Sequence, residues 1–489
     1  MQKINHTLAM VFVGAVTFTI AWPRNAAFAA DPAFQVPAGE RQLFLDDIGI
    51  AKIENLTRTM HQPEKKGAVI RPNWHRGEHT MQIRNAPNWD RQRQVFRFLV
   101  SETGGPKTIS TVWESHDGLH WSRLGVANIA AYSVVYDPTD IDPARRYKAV
   151  SPGRIAVSAD LLKWTVVGDP KIPSSDEHNL SFDEKTGLFI MTLKRGGPYG
   201  RAHALVTSKD LEHWTDYGVL FHADKLDQEL NRQARTARMA KVVADTRLAQ
   251  TSFHAQGNYQ VDIYNTATFR YESHYLAMPA MHPSRRMDLA DPSDNIAFKV
   301  VQLMCSRDLR TWTRLGDRQD FIGLSPPESG ACDIAQAFPP SNAVVKGDEL
   351  WFYYTGIADI GWPPKTGIKA TAREWKYYRP DKGSVCLAVL RRDGFISLDV
   401  GETEGAILTE PFELPGANLF VNVDAPKGGL RVELLNGDGK VVAKSKPLAG
   451  DLLREPVRWV KGDIADLKGQ IASLRFTLRN AQFYSYWLE

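Results

Sequence analysis

Four acidic residues stand at comparable places in four separate stretches of the 489-residue chain. Glu78 lies in "GEHTMQIRNAPNWD", Asp176 in "SSDEHNLSF", Asp262 in "YQVDIYNTATFRYE" and Asp333 in "CDIAQAFPPSNAVV". Each heads a run of apolar and aromatic residues, where a charge wants a reason. A single acid at such a place is ordinarily a turn or capping residue. Four acids drawn into one pocket would do more. One carboxyl can protonate a leaving oxygen while a second attacks or activates water, and crowding pushes one pKa up. Asp176 is given the nucleophile or base role, and the acid lies among Asp262, Asp333 and Glu78. Glu177, His178, Tyr264 and Asp47 are the candidate substrate contacts. His178, His254 and His274 are too scattered for a metal triad, so neither metal nor cofactor is expected.

A repeat could bring such residues together. "SHDGLHW", "SADLLKW", "SKDLEHW" and "SRDLRTW" begin at Ser115, Ser158, Ser208 and Ser306, with gaps of 43, 50 and 98. A degenerate fifth copy, "LRRDGFISL", starts at Leu390. Self-similarity at this period marks stacked or radial units. An aromatic-rich strand precedes each copy, as in "VFRFLVSE", "RRYKAVS", "GLFIMTLKR" and "LWFYYTG", and turns rich in Asp, Pro and Gly lie before these strands. The phrase is read as a structural corner. Ser and Asp bond nearby backbone amides, and the Trp returns to pack on the sheet. The long third gap holds the polar, helix-favouring "HADKLDQELNRQARTARMAKVVADTRLAQ". Five inner strands can be counted, and radial repetition of four-stranded sheets gives a five-bladed β-propeller over residues 40–399. From residue 400 to 489 the chain turns to alternating strands with Gly-rich turns, which reads as a β-sandwich. The fold class is all-β.

Composition narrows the rest. Hydrophobic residues make up 43% and charged residues 24%, as in folded chains, and a net charge of +4 without a long basic run argues against a nucleic-acid partner. Lys3, the apolar "LAMVFVGAVTFTIAW" and the small residues of "AFAA" read as a signal peptide over residues 1–30. The mature chain is then exported to the periplasm or beyond, with no membrane contact after cleavage. Three cysteines without CxxC spacing suggest no disulfide framework.

The opening "RQLFLDDIGIAKIENLTRTMHQPEKKGAVIRPN", the "DLxxW" phrases and the "FDEKTGLF" turn resemble the five-bladed glycoside hydrolase superfamily that includes families 32, 43, 68 and 117. The tail "LRFTLRNAQFYSYWLE" is similar to the sandwich that follows the propeller in that group. The resemblance implies a carbohydrate substrate and hydrolysis of a glycosidic bond in a poly- or oligosaccharide. The chain carries neither "NDPNG" nor an "RDP" triplet, so the family's catalytic pattern is not transferred. A non-catalytic carbohydrate-binding protein on the same fold is the alternative, ahead of a protein-interaction platform.

Overall fold

The computed structural model describes residues 34–73, 80–103, 108–131, 133–151, 153–172, 176–244, 259–285, 298–358 and 383–489. The chain is nearly all β. Among the described residues, five antiparallel four-strand ladders follow one another. The first comprises Thr80–Gln82, Val95–Thr103, Ile109–Ser115 and Ser122–Val126. The second runs from Val134–Tyr136 to Trp164–Gly168 and the third from His178–Asp183 to Trp214–Phe221. The fourth opens with Tyr259–Tyr271 and His274–Arg285 and closes with Met304–Ser306 and Thr313–Arg314. The fifth takes Gln336–Phe338, Glu349–Ile357 and Gly383–Arg391, and its outermost strand, Glu64–Ile70, comes from the start of the chain. A single parallel pairing, Gly383 with Thr80, joins the fifth ladder to the first.

Each ladder is stitched to the next. Ser110 Oγ donates to Ala131 O, Ser133 Oγ to His178 O, and Ser181 Oγ to Thr268 O. Lys299 exchanges backbone hydrogen bonds with Ala335 and Ala337, and Ile83 N donates to Thr355 Oγ1. These bonds run from the first ladder through each successive one and back to the first. Small hydroxylated side chains suit such crowding, because their short polar arms satisfy buried carbonyls.

The repeated phrase builds the same corner between the third and fourth strands. In the second ladder Ser158 Oγ accepts from Asp160 N and Leu161 N, Asp160 Oδ1 accepts from Leu162 N and Lys163 N, and Trp164 Nε1 donates to Leu161 O at 2.6 Å. The fourth residue of the phrase is left-handed in every copy, with φ of 79° at Gly118, 69° at Leu161, 70° at Leu211 and 61° at Leu309. A leucine there is strained, and burying its side chain helps to offset the strain. Trp121, Trp164 and Trp214 each bond the carbonyl of that residue, whereas the buried Trp312 indole nitrogen has no partner.

The fifth copy diverges. Asp393, also left-handed at φ 63°, starts no fourth strand of its own ladder. The chain instead enters Ile396–Val400, which pairs with Thr57–Met60 and Ala481–Leu488. The C-terminal sheet is thus built from both ends of the chain. Gln42–Leu43, Ile50–Glu54 and Thr57–Met60 all pair within it, although they lie in the span 40–399 read as propeller. Their partners in Gly405–Thr409, Ile396–Val400 and Ala481–Leu488 are remote in sequence, so a local pattern does not register the pairing.

Between the third and fourth ladders lies the helix Lys225–Ala244, inside the stretch expected to favour one. Asp224 N donates to Asp227 Oδ2 and Asp227 N to Asp224 Oδ1, a reciprocal cap of the free amides at the helix start. Arg318 and Arg314 then clamp these two acids. Among the described residues no helix is long and apolar enough to cross a membrane.

Candidate active site

The stitched strand starts bury a cluster of charged side chains. Arg84 follows the first strand of the first ladder, and Glu177 precedes that of the third. Their planes meet as a fork. Arg84 Nε donates to Glu177 Oε2 at 2.7 Å and Nη2 to Oε1 at 2.8 Å, the two-bond geometry that a guanidinium gives a carboxylate. Asn179 Nδ2 donates to Arg84 O and fixes the arginine from below. Burial alone would raise the Glu177 carboxyl. Arg84 reverses this, with smaller help from Lys299 and His203, and holds it below the usual carboxylate range.

Lys299 is fully buried beside the pair. Its Nζ lies 3.4 Å from the Tyr264 ring centre and 3.8 Å from that of Phe338, and it donates to Gln336 Oε1 at 2.9 Å. Ring faces and a carboxamide are weak substitutes for water. Burial, reinforced by the Arg84 charge, therefore pushes the Lys299 ammonium well below its ordinary basicity. Tyr264 sits where the register of the fourth ladder slips between Ile263 and Thr266. A slip of this kind re-aims side chains. It places the Tyr264 ring against Lys299, His282 and Phe338, and burial, with Glu177 adding to it, pushes the hydroxyl up to about 12.

Asp262, two residues earlier, is buried and held by Arg201. Arg201 Nη1 donates to Asp262 Oδ2 at 2.9 Å and its backbone N at 3.2 Å. Gly200 permits that approach. It has φ 103°, and a Cβ there would sit 3.0 Å from the same oxygen. His203 donates through Nε2 to Tyr264 O, and burial pushes its ring down to about 4. Burial pushes His282 well below its usual value, aided by Lys299 and Arg201. Toward solvent the cluster ends in Asp176, half exposed and paired with Lys194. The charges of Glu177, Asp176, Arg84 and Arg201 all act on Tyr264. Those of Arg84, Glu177, Arg201 and Asp262 all act on Lys299.

Of the residues singled out in the sequence, Asp176, Glu177, Asp262 and Tyr264 meet here. His178 adjoins the cluster, but its ring faces two backbone carbonyls, Asp176 O and Val150 O, and so braces the second ladder against the third. Asp333 is directed elsewhere. Lys65 reaches it from the outermost strand of its ladder at 2.6 Å, and Tyr354 Oη donates to it at 2.8 Å. Asp47 is exposed and paired with Arg58 of the C-terminal sheet. Glu78 lies outside the described residues. Of the three described acids expected to converge, Asp176 and Asp262 do and Asp333 does not, and each is paired with its own base. Sequence reading missed Arg84, Lys194, His203, His282 and Lys299. The available signal was a single charge inside an apolar run, as in "MQIRNAP" and "AFKVV".

No family model matches the chain, and no curated protein does. Among solved structures it is similar to a glycosyl hydrolase from Bacteroides ovatus, at TM-score 0.40 and 12% identity, over 68% of this chain and 94% of that one. It is similar to a family 32 β-fructofuranosidase from Bombyx mori at TM-score 0.37 and 10% identity, over 85% and 94%. A family 43 arabinoxylan arabinofuranohydrolase from Bacillus subtilis gives 0.36 and 9%, over 86% and 99%. All three are glycoside hydrolases.

Proposed function

We propose that the five ladders close as a five-bladed β-propeller over residues 64–391, with a sandwich built from residues 42–60 and 396–489. We further propose that the chain is exported after loss of residues 1–30 and hydrolyses a glycosidic bond of a poly- or oligosaccharide in the polar cluster. The stitching of each ladder to the next, and of the fifth back to the first, supports closure. One observation carries the chemistry: Asp176, Glu177 and Asp262, from two neighbouring ladders, gather about Tyr264 and Lys299 in a cluster buried on one side and open on the other. Buried charge is costly, and perturbed titratable groups of this density mark sites that work.

Glu177 stays ionised against Arg84 and supplies fixed negative charge beside the developing oxocarbenium ion. Asp262 and Asp176 are the reacting pair, and Glu78 is the further candidate for the acid. Arg201 and Lys194 hold the pair and poise its charge. The test is release of reducing ends from a panel of polysaccharides by the purified chain. Asp176→Asn and Asp262→Asn should each lower the rate on the order of 10²-fold or more with folding unchanged. Parent-like rates in both variants refute the assignment.

The pairing of every described acid with a base favours a second reading, a carbohydrate-binding protein without turnover. Binding of a glycan that the chain leaves intact would establish it.

A further inference from the structure

Cys332 and Cys386 are 54 positions apart, and no sequence motif links them. The fold puts them together. Cys332 lies in the loop that feeds Gln336–Phe338, the leading strand of the fifth ladder, and Cys386 lies on its third strand, Gly383–Arg391. Both are buried and unbridged, with their thiols in hydrogen-bond contact. Gly356 on the intervening strand makes the space. A Cβ there would lie 2.8 Å from Cys386 Sγ, 2.9 Å from Asp333 Cβ and 3.2 Å from Cys332 O.

The two thiols are not equivalent. Arg71 Nη1 reaches Cys332 Sγ at 2.8 Å, and a guanidinium at a sulfur favours its thiolate. Cys386 is enclosed beside Tyr354 and Asp333, where its Cys332 contact and burial push its thiol well up. The third cysteine, Cys305, is buried in a different ladder, and its thiol faces Leu45 O.

We propose that Cys332 and Cys386 are a redox-active pair that closes to a disulfide on meeting an oxidising disulfide, and that the bond clamps the loop leading to Gln336 and the candidate active site. The Cys332 thiolate attacks the S–S bond of the oxidant, forming a mixed disulfide and expelling one thiolate. Cys386 then loses its proton and attacks the Cys332 sulfur, expelling the second. Two S–H bonds of the chain are replaced by one S–S bond, and the oxidant leaves as two thiols, taking up the two protons and two electrons. Access is through the loop itself. Ser329 and Gly330, just ahead of Cys332, are exposed, and Gly330 turns at φ 69°.

Thiol counting reads this without a substrate, so its outcome is separate from that of the hydrolase assay. The reduced native chain is treated with oxidised glutathione, quenched, denatured and titrated. The expected count falls from the chain's three thiols to one, and a non-reducing peptide map shows Cys332 joined to Cys386. Closing a loop of this length raises the thermal midpoint of the oxidised form by a few degrees. In Cys386→Ser, Cys332 should instead retain glutathione as a mixed disulfide, and Cys305→Ser should leave closure unchanged. Three thiols remaining after native treatment overturn the proposal, as does a bridge that includes Cys305.

Discussion

Asp393 and Glu177 are both buried against an arginine, and they differ in how completely the acid is used. Asp393 has no exposed surface. Its Oδ2 takes hydrogen bonds from Arg41, Ser485 and Asn422, and its Oδ1 takes one from Tyr271. These partners come from four remote segments, so the carboxylate fastens the ladders to the C-terminal sheet. At Glu177 the arginine fork is equally tight, but the surroundings are different. Arg84, Lys194 and Arg201 pair one to one with Glu177, Asp176 and Asp262, Lys299 is buried beside them, and one side is open through Asp176. A buried charge bonded from four segments holds them together. A buried cluster with an open side can still take up a guest.

That contrast can be broken by substitution. Asp393→Ala should cost the most, about 3–5 kcal/mol in urea unfolding, because it takes the carboxylate from the buried Arg41, which keeps the Trp487 ring face alone. A loss below about 1 kcal/mol would remove the fastening role. Next, Glu177→Gln, which keeps the side chain's size and one acceptor for Arg84, should cost less stability than Asp393→Ala yet reduce turnover on a confirmed substrate by on the order of 10²-fold. Equal damage to folding at both acids would erase the distinction. Smaller still is an effect of acidity. The unfolded chain protonates His203 near pH 6.5, whereas the folded chain does so only near pH 4. Between those values the unfolded state binds more protons, so stability falls as pH drops through that window. His203→Gln should flatten the fall by roughly 1–3 kcal/mol, read as urea midpoints at several pH values. An unchanged slope would place the proton elsewhere. The smallest effect is at the corners, where Asp160→Ala should cost about 1 kcal/mol for two lost amide bonds.

Local pattern was readable wherever the structure is local. The four corners follow from Ser, Asp and Trp at fixed spacing, and the helix at Lys225–Ala244 from a polar break between strands. Asp176, Asp262 and Tyr264 were picked out because they stand near strand starts in step with the repeat, and the fold brings them into one cluster. Asp333 was read from the same register, but its side chain turns to Lys65, a residue over 260 positions away. Lys299 and Arg84 looked like isolated charges, since only the meeting of three ladders gives them partners. The same holds for Cys332 and Cys386, whose contact depends on a glycine thirty residues from one of them.

Strand Glu64–Ile70 pairs with Gly383–Arg391, so Ile70 meets Val385 across more than three hundred residues. This pairing sets an order of events. A chain emerging from the ribosome or a translocation pore can complete the second, third and fourth ladders as they appear, since their strands are consecutive. The strands between Gln42 and Ile70 must wait without their partners until most of the polypeptide is present. Loops of this size close slowly, and the waiting edge of the fifth ladder is open to wrong partners in the interval. The last step of maturation is therefore the meeting of the chain's two ends, and a truncation that removes the final strands strands the first ones with them.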